Sequence, residues 1–167
     1  QQSILSAKKN KMAAGYTMNS CTYYCGRFIR HGAWYPDRKL RLFSRQLAQW
    51  GGTNPHDKVE FHSPQTSNHL AGDILHYSYY TMEEHITQNN KFSTIAAESY
   101  FSRGKKTSLF RIWFNPCWAF FSGFILRGGF LDGFYGYVIA RNVAHLTFMK
   151  HSKLYLLQRK VTNGKNE

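Results

Sequence analysis

The chain has 167 residues, 43% hydrophobic and 19% charged, which is enough for one domain with a real core and excludes a disordered chain or a coiled coil. Twenty-two Lys and Arg against nine Asp and Glu leave a formal charge of +13, which calls for an anionic partner: nucleic acid, a phosphorylated ligand or an acidic lipid surface. Three cysteines, with Cys21 and Cys25 wrongly spaced for a Cys-x-x-Cys site, argue against a disulfide framework or a structural zinc and for a reducing compartment.

In chain order, residues 1–10 are polar and basic with no long apolar stretch behind them, and do not read as a signal peptide. Residues 16–26 are rich in Thr and Tyr and predict a strand that ends at Gly26. Leu40, Leu42 and Leu47 mark a second strand, with Lys39, Arg41 and Arg45 at alternate positions. Gly51-Gly52-Thr53-Asn54-Pro55 is turn chemistry, and residues 73–79 predict a third strand. Thr81 followed by Glu84 is a capping box; it opens a helix that runs to about Arg103 and is ended by Gly104. Two further helical segments follow, separated by a break at Arg127-Gly128-Gly129. The class expected is α/β: a strand-rich portion over 1–80, a helical portion over 81–157, and a tail over 158–167.

The basic excess and the aromatic cluster fall together. From Tyr100 onward there are eleven basic residues and two acids, Asp132 and Glu167, among the Trp and Phe residues. Residues 112–126 are apolar but broken by Asn115 and Pro116, short of the roughly 18–20 residues that a spanning helix needs. Basic, aromatic, amphipathic helices of this kind read as elements of a membrane surface. Arg111, Trp113, Trp118, Arg127 and Lys150 are the expected interface anchors. The plain alternative is a hydrophobic hairpin in a soluble core with a solvated basic rim.

Five stretches occur in an order that resembles a known family: WYPDRKLRLFSR at 34–45, NPHDKV at 54–59, LHYSY at 75–79, NKFSTIAA at 90–97 and GGFLDG at 128–133. Together they resemble the C-terminal half of bacterial family-2 glycosyltransferases of the lipopolysaccharide core glucosyltransferase-like branch. The resemblance implies a GT-A type fold followed by membrane-surface helices, a nucleotide-sugar donor, a divalent metal (magnesium or manganese) in the complete enzyme, and inverting transfer to a cell-envelope glycan or lipid-linked acceptor. It also implies a place at the cytoplasmic face of the bacterial inner membrane, held peripherally. Such enzymes carry an Asp-x-Asp metal motif in their N-terminal half; no two of Asp37, Asp57, Asp73 and Asp132 are so spaced. The chain therefore resembles the acceptor and membrane half without the donor half.

Within that resemblance Asp57 matches the acidic base motif, a carboxylate that takes the acceptor hydroxyl's proton as its oxygen attacks the anomeric carbon. From spacing alone Asp57 reads first as an Asp capping the following turn, and it is the resemblance that favours the base. His56 beside it, Arg38, Arg41 and Trp34 are the candidate substrate contacts: guanidinium for diphosphate, indole for a sugar ring. His76 lies where the family places a metal-holding histidine; otherwise it is a hydrogen-bonded strand residue. Two readings compete with the enzyme half: a basic, aromatic nucleic-acid-binding module, and a noncatalytic membrane-associated remnant. No nucleic acid is expected as partner.

Overall fold

The computed structural model describes residues 2–10, 13–53 and 56–163, with the side chains of residues 10, 52–57 and 161–163 outside that description. It is a mixed α/β structure. Helix α1 (Gln2–Asn10) precedes six strands: β1 (Gly15–Tyr24), β2 (Arg27–Phe28), β3 (Asp37–Phe43), β4 (Ala48–Thr53), β5 (His56–Phe61) and β6 (Ser67–Tyr79). Helices α2 (Met82–Ser102), α3 (Leu109–Phe121) and α4 (Gly133–Asn163) follow. Helix α1 has no counterpart in the sequence reading; it is tied down by buried Ala7, whose carbonyl accepts the Tyr16 hydroxyl at 3.5 Å.

Strand β1 is the centre of the sheet. It pairs antiparallel with β2 and β3, and parallel with β6 from Gly15 opposite Ser67 to Tyr24 opposite Tyr79. The β1–β2 turn consists of Cys25 and Gly26, at φ 47° and 99°. A two-residue hairpin with both central residues left-handed matches the twist of its strands, which is why a glycine stands there. Strands β4 and β5 form a separate two-stranded ribbon. Gly51, Gly52 and Thr53, read as turn from sequence, continue β4 opposite Lys58, Asp57 and His56, while Asn54 and Pro55 lie outside the described residues. Leu47 sits exposed in the turn before β4 rather than on a strand.

The helices begin and end where the local chemistry dictates. The Thr81 hydroxyl accepts the Glu84 amide, and the Glu84 carboxylate accepts the Tyr80 and Thr81 amides at 2.7 and 3.2 Å. At the far end of α2, Gly104 is left-handed, its amide donates to Phe101 and the Lys105 amide to Tyr100, the paired bonds of a Schellman stop. Ser108 caps α3, which runs into a π-helical turn, Ser122–Leu126, before left-handed Gly128 ends it. Helix α4 is about 46 Å long at 1.5 Å per residue and lies between α2 and α3. Its Ile139 joins Tyr24 and Ile29 in the core, so the end of the sheet rests on this helix.

One short region fastens sheet to helices. After β2 the chain passes through a 3-10 turn, Gly32–Trp34, and the α3–α4 connection passes through another, Gly129–Asp132. The Asp132 carboxylate, 2% exposed, accepts the Arg30 and His31 amides at 3.0 and 2.8 Å and meets His31 Nδ1 at 3.2 Å, with the Arg27 guanidinium at 4.0 Å. Around it the backbones touch. A Cβ on Gly129 would stand 2.7 Å from the Gly123 oxygen, and one on Gly136 would collide with the Gly129 carbonyl. Asp132→Ala removes the acceptor of two part-buried amides, and is expected to lower unfolding free energy by about 3 kcal/mol. Urea unfolding checks this; an unchanged midpoint would show that the clasp contributes nothing.

A cationic cleft and an apolar helix face

The side of the sheet that faces α2 holds the most chemically varied cleft, about 540 Å³ in volume. Strand alternation supplies it in pairs. Asp37 and Lys39, two apart on β3, share a face and form an ion pair at 3.0 Å. His76 and Ser78, two apart on β6, do likewise, with Ser78 Oγ 2.8 Å from His76 Nδ1. Thr22 stands opposite His76 in the parallel register and lines the same space. Arg127 enters from the helix break: its carbonyl accepts the Gly32 amide at 2.9 Å, and its exposed guanidinium has no partner among the described residues. Lys39, Arg127 and His76 thus surround a space in which Asp37 is the one carboxylate among the lining residues. Such a cleft is built to receive an anion.

Its inner wall is aromatic. Trp34 stacks on Tyr79 at 5.6 Å and meets His85 at 5.0 Å, and His85 Nδ1 lies 3.2 Å from the Tyr24 hydroxyl. Burial pushes the His85 pKa down to about 4, so the ring is neutral at pH 7; burial likewise pushes Tyr24 up to about 12. Neither changes charge near neutrality. Their part is to hold the indole of Trp34 at the mouth.

Of the residues read from sequence, Trp34 and His76 come together here, and Arg127, expected as an interface anchor, lines the same cleft. Arg38 is exposed on β3 outside the cleft, and Arg41 lies 5.5 Å over the exposed ring of Trp50; Lys39 is the strand's cation in the cleft. His56 and Asp57 have their backbones in the separate β4–β5 ribbon, and their side chains lie outside the described residues. Among the described residues no three of His, Cys, Asp and Glu gather as a metal site. With Asp37 held by Lys39 and His76 by Ser78, the described residues do not fit a divalent ion by themselves. Asp37, His85 and Asn89 were missed as cleft residues. Only the Asp37–Lys39 spacing, i and i+2 on a strand, carried a signal.

The second surface is the outward side of α3. Phe110, Trp113, Phe114, Trp118 and Phe121 recur at helical spacing and are all exposed, Trp113 by 68%. With the π turn the helix is continuous over Leu109–Leu126, which is 18 residues or about 27 Å. Asn115 and Pro116, which interrupt the apolar run in sequence, sit within the helix, and the break comes at Arg127-Gly128-Gly129 as expected. By length and composition this is one helix apolar enough to cross a membrane, although only 6% of it is buried in the protein. Lys150 does not join this face; its ammonium lies 5.1 Å over the Tyr100 ring of α2, an attraction that turns it to the other side of α4. Lys153 is likewise drawn inward, donating to Asn90, Ser93 and Thr94. Arg141, exposed beside Trp113 and Phe148, is the cation on the apolar side.

The chain is 32% identical over 124 residues to an uncharacterized glycosyltransferase of Rickettsia felis, covering 68% of this chain and 43% of that protein. It is 30% identical over 130 residues to one of Rickettsia prowazekii, covering 74% and 44%. A lipopolysaccharide core biosynthesis glycosyltransferase, LpsC of Rhizobium meliloti, is 25% identical over 118 residues, covering 71% and 44%. The chain is a relative of bacterial glycosyltransferases. The matched part spans less than half of the length of each of these proteins. No family model and no solved structure matches the chain.

His85 gives the glycosyltransferase-like core a pH dependence of known sign. The unfolded ring takes a proton near pH 6.5, whereas the folded one refuses it until about 4. Its contribution is therefore complete above pH 6.5 and lost as the pH falls toward 4. Between pH 7 and 5 the loss is on the order of 1–2 kcal/mol, and His85→Phe is expected to flatten that part of the profile. An unchanged slope in urea unfolding at the two pH values would contradict the buried neutral imidazole.

Proposed function

We propose that this chain forms the acceptor side of an inverting, GT-A type family-2 glycosyltransferase that moves a sugar from a nucleotide-sugar to a cell-envelope glycan or lipid-linked acceptor. The observation that carries this reading is the cleft, where Lys39, Arg127 and His76 surround an anion-sized space beside Trp34. The sequence likeness to LpsC, whose name refers to lipopolysaccharide core biosynthesis, supports the class of acceptor. Lys39 and Arg127 would hold the donor's diphosphate, the guanidinium with two parallel N–H bonds and the ammonium as a point charge. Trp34 would stack on a sugar ring, its plane fixed by Tyr79. Asp57 would act as general base, taking the proton of the acceptor hydroxyl while that oxygen attacks the anomeric carbon and the nucleoside diphosphate departs. The divalent metal expected of the complete enzyme would draw its carboxylates from beyond the described residues.

The same reading puts α3 on the cytoplasmic surface of an anionic inner membrane, peripherally. Support comes from the uninterrupted outward row of rings with Arg111 at its start. Arg141 supplies a further reason, because it packs beside Pro116, midway along Leu109–Leu126. A guanidinium at the centre of a bilayer costs about 2.5–3.5 kcal/mol even on insertion scales, whereas at the headgroups it is attracted.

A nucleoside diphosphate titrated into the protein tests the cleft. Lys39→Ala and Arg127→Ala are each expected to weaken binding about tenfold, the scale of one charge-assisted contact. Unchanged affinity in both would remove the diphosphate reading. In the complete enzyme Asp57→Asn is expected to leave donor binding intact and to lower turnover roughly 100-fold or more; wild-type turnover would remove the base.

A further inference from the structure

The outward side of α3 and α4 is not uniformly greasy. Between the two helices runs a groove of about 320 Å³, walled by Trp113 and Phe148 and floored by Pro116 and Ala144. Arg141 and His145, one helical turn apart on α4, both line it, and His145 stacks on Phe148. The Arg141 guanidinium is exposed and has no hydrogen bond, ion pair or ring contact among the described residues. Among the other basic side chains of these helices, Arg111 donates to the Lys106 carbonyl, Lys150 covers Tyr100 and Lys153 is held by α2.

We infer that this groove seats one anionic phospholipid, its phosphate against Arg141 and an acyl chain along Trp113, Pro116 and Phe148. The inference rests on the membrane-surface reading above and names the ligand for that surface. Pressed into a headgroup layer, a lone guanidinium among rings needs an anion, since desolvating it unpaired is costly. A phosphate accepts two parallel N–H bonds from it, and the acyl chain fills the apolar furrow that begins beside it. A zwitterionic lipid offers the same phosphate with a compensating ammonium, so the seat discriminates by net charge. A generic basic surface would instead spread its preference over all exposed cations, at about fivefold per residue.

The test is native mass spectrometry of the protein from micelles doped with phosphatidylglycerol or phosphatidylcholine, beside flotation on vesicles of the same two lipids. One retained phosphatidylglycerol is expected, with no retained phosphatidylcholine. Arg141→Gln should reduce that adduct about tenfold while Arg111→Gln keeps it, and neither should alter the circular dichroism. An adduct that survives Arg141→Gln, or is lost equally in Arg111→Gln, would overturn the seat. Flotation on neither vesicle would overturn the membrane-surface reading itself. Flotation with no adduct would leave that reading standing and overturn the seat alone.

Discussion

A single buried carboxylate joins the two halves of this fold. Asp132 lies just before α4, yet one of its oxygens accepts the amides of both Arg30 and His31, about a hundred positions earlier in the chain. Those two residues lead into the turn that carries Trp34, and the residues before Asp132 lead back to Arg127. The clasp therefore sets the distance across the cleft, since one wall comes from each side of it. The glycines around it serve the same end. Gly129 and Gly136 let the backbone segments approach to a separation that a Cβ would prevent, and Gly32, packed against Gly129, holds a left-handed φ of 83°. A loop-to-helix contact so close and so dry makes one body of what would otherwise be a small sheet and a helical hairpin.

Function, on this view, is divided between two faces of that body. The cleft is cationic; the outer face of α3 is apolar, with the guanidinium groups of Arg111 and Arg141 beside it. Helix α3 is inverted relative to an ordinary surface helix, with Asn115 turned inward, 2.9 Å from buried His151, and rings turned outward. A soluble monomer rarely tolerates so long an exposed row of Trp and Phe. A lipid-linked acceptor resting at such a face would meet a nucleotide-sugar arriving at the cleft from the aqueous side, which relates the two proposals physically.

Much of the architecture was legible in the residues. The passage from strands to helices at Thr81 followed from a capping box, and the helix stop at Gly104 from glycine's access to positive φ, both local effects that a short window of sequence carries. The outward aromatic row was legible as composition, because Trp and Phe residues cluster over 110–124. What could not be read were partners distant in sequence. Nothing near Asp132 marks it as the acceptor for Arg30 and His31, and nothing near Lys150 reveals the ring of Tyr100 that captures it. Alternation correctly separated Lys39 from Arg38, but it could not say which face of β3 looks into a cleft; that depends on where α2 packs. The Gly51–Thr53 segment was misread because glycine and threonine signal a turn locally, while pairing with β5 holds them extended.

Amide hydrogen exchange tests the clasp most directly. The Arg30 and His31 amides lie in a short loop, where exchange is ordinarily fast, and the bonds to buried Asp132 should slow it to the rate of the α4 core around Ile139. In Asp132→Ala both amides, and that of Gly32, should lose protection together while the interior of α2 keeps its own. Fast exchange of Arg30 and His31 in the unmodified protein, with α4 still protected, would mean that sheet and helices open independently and that no single contact sets the cleft.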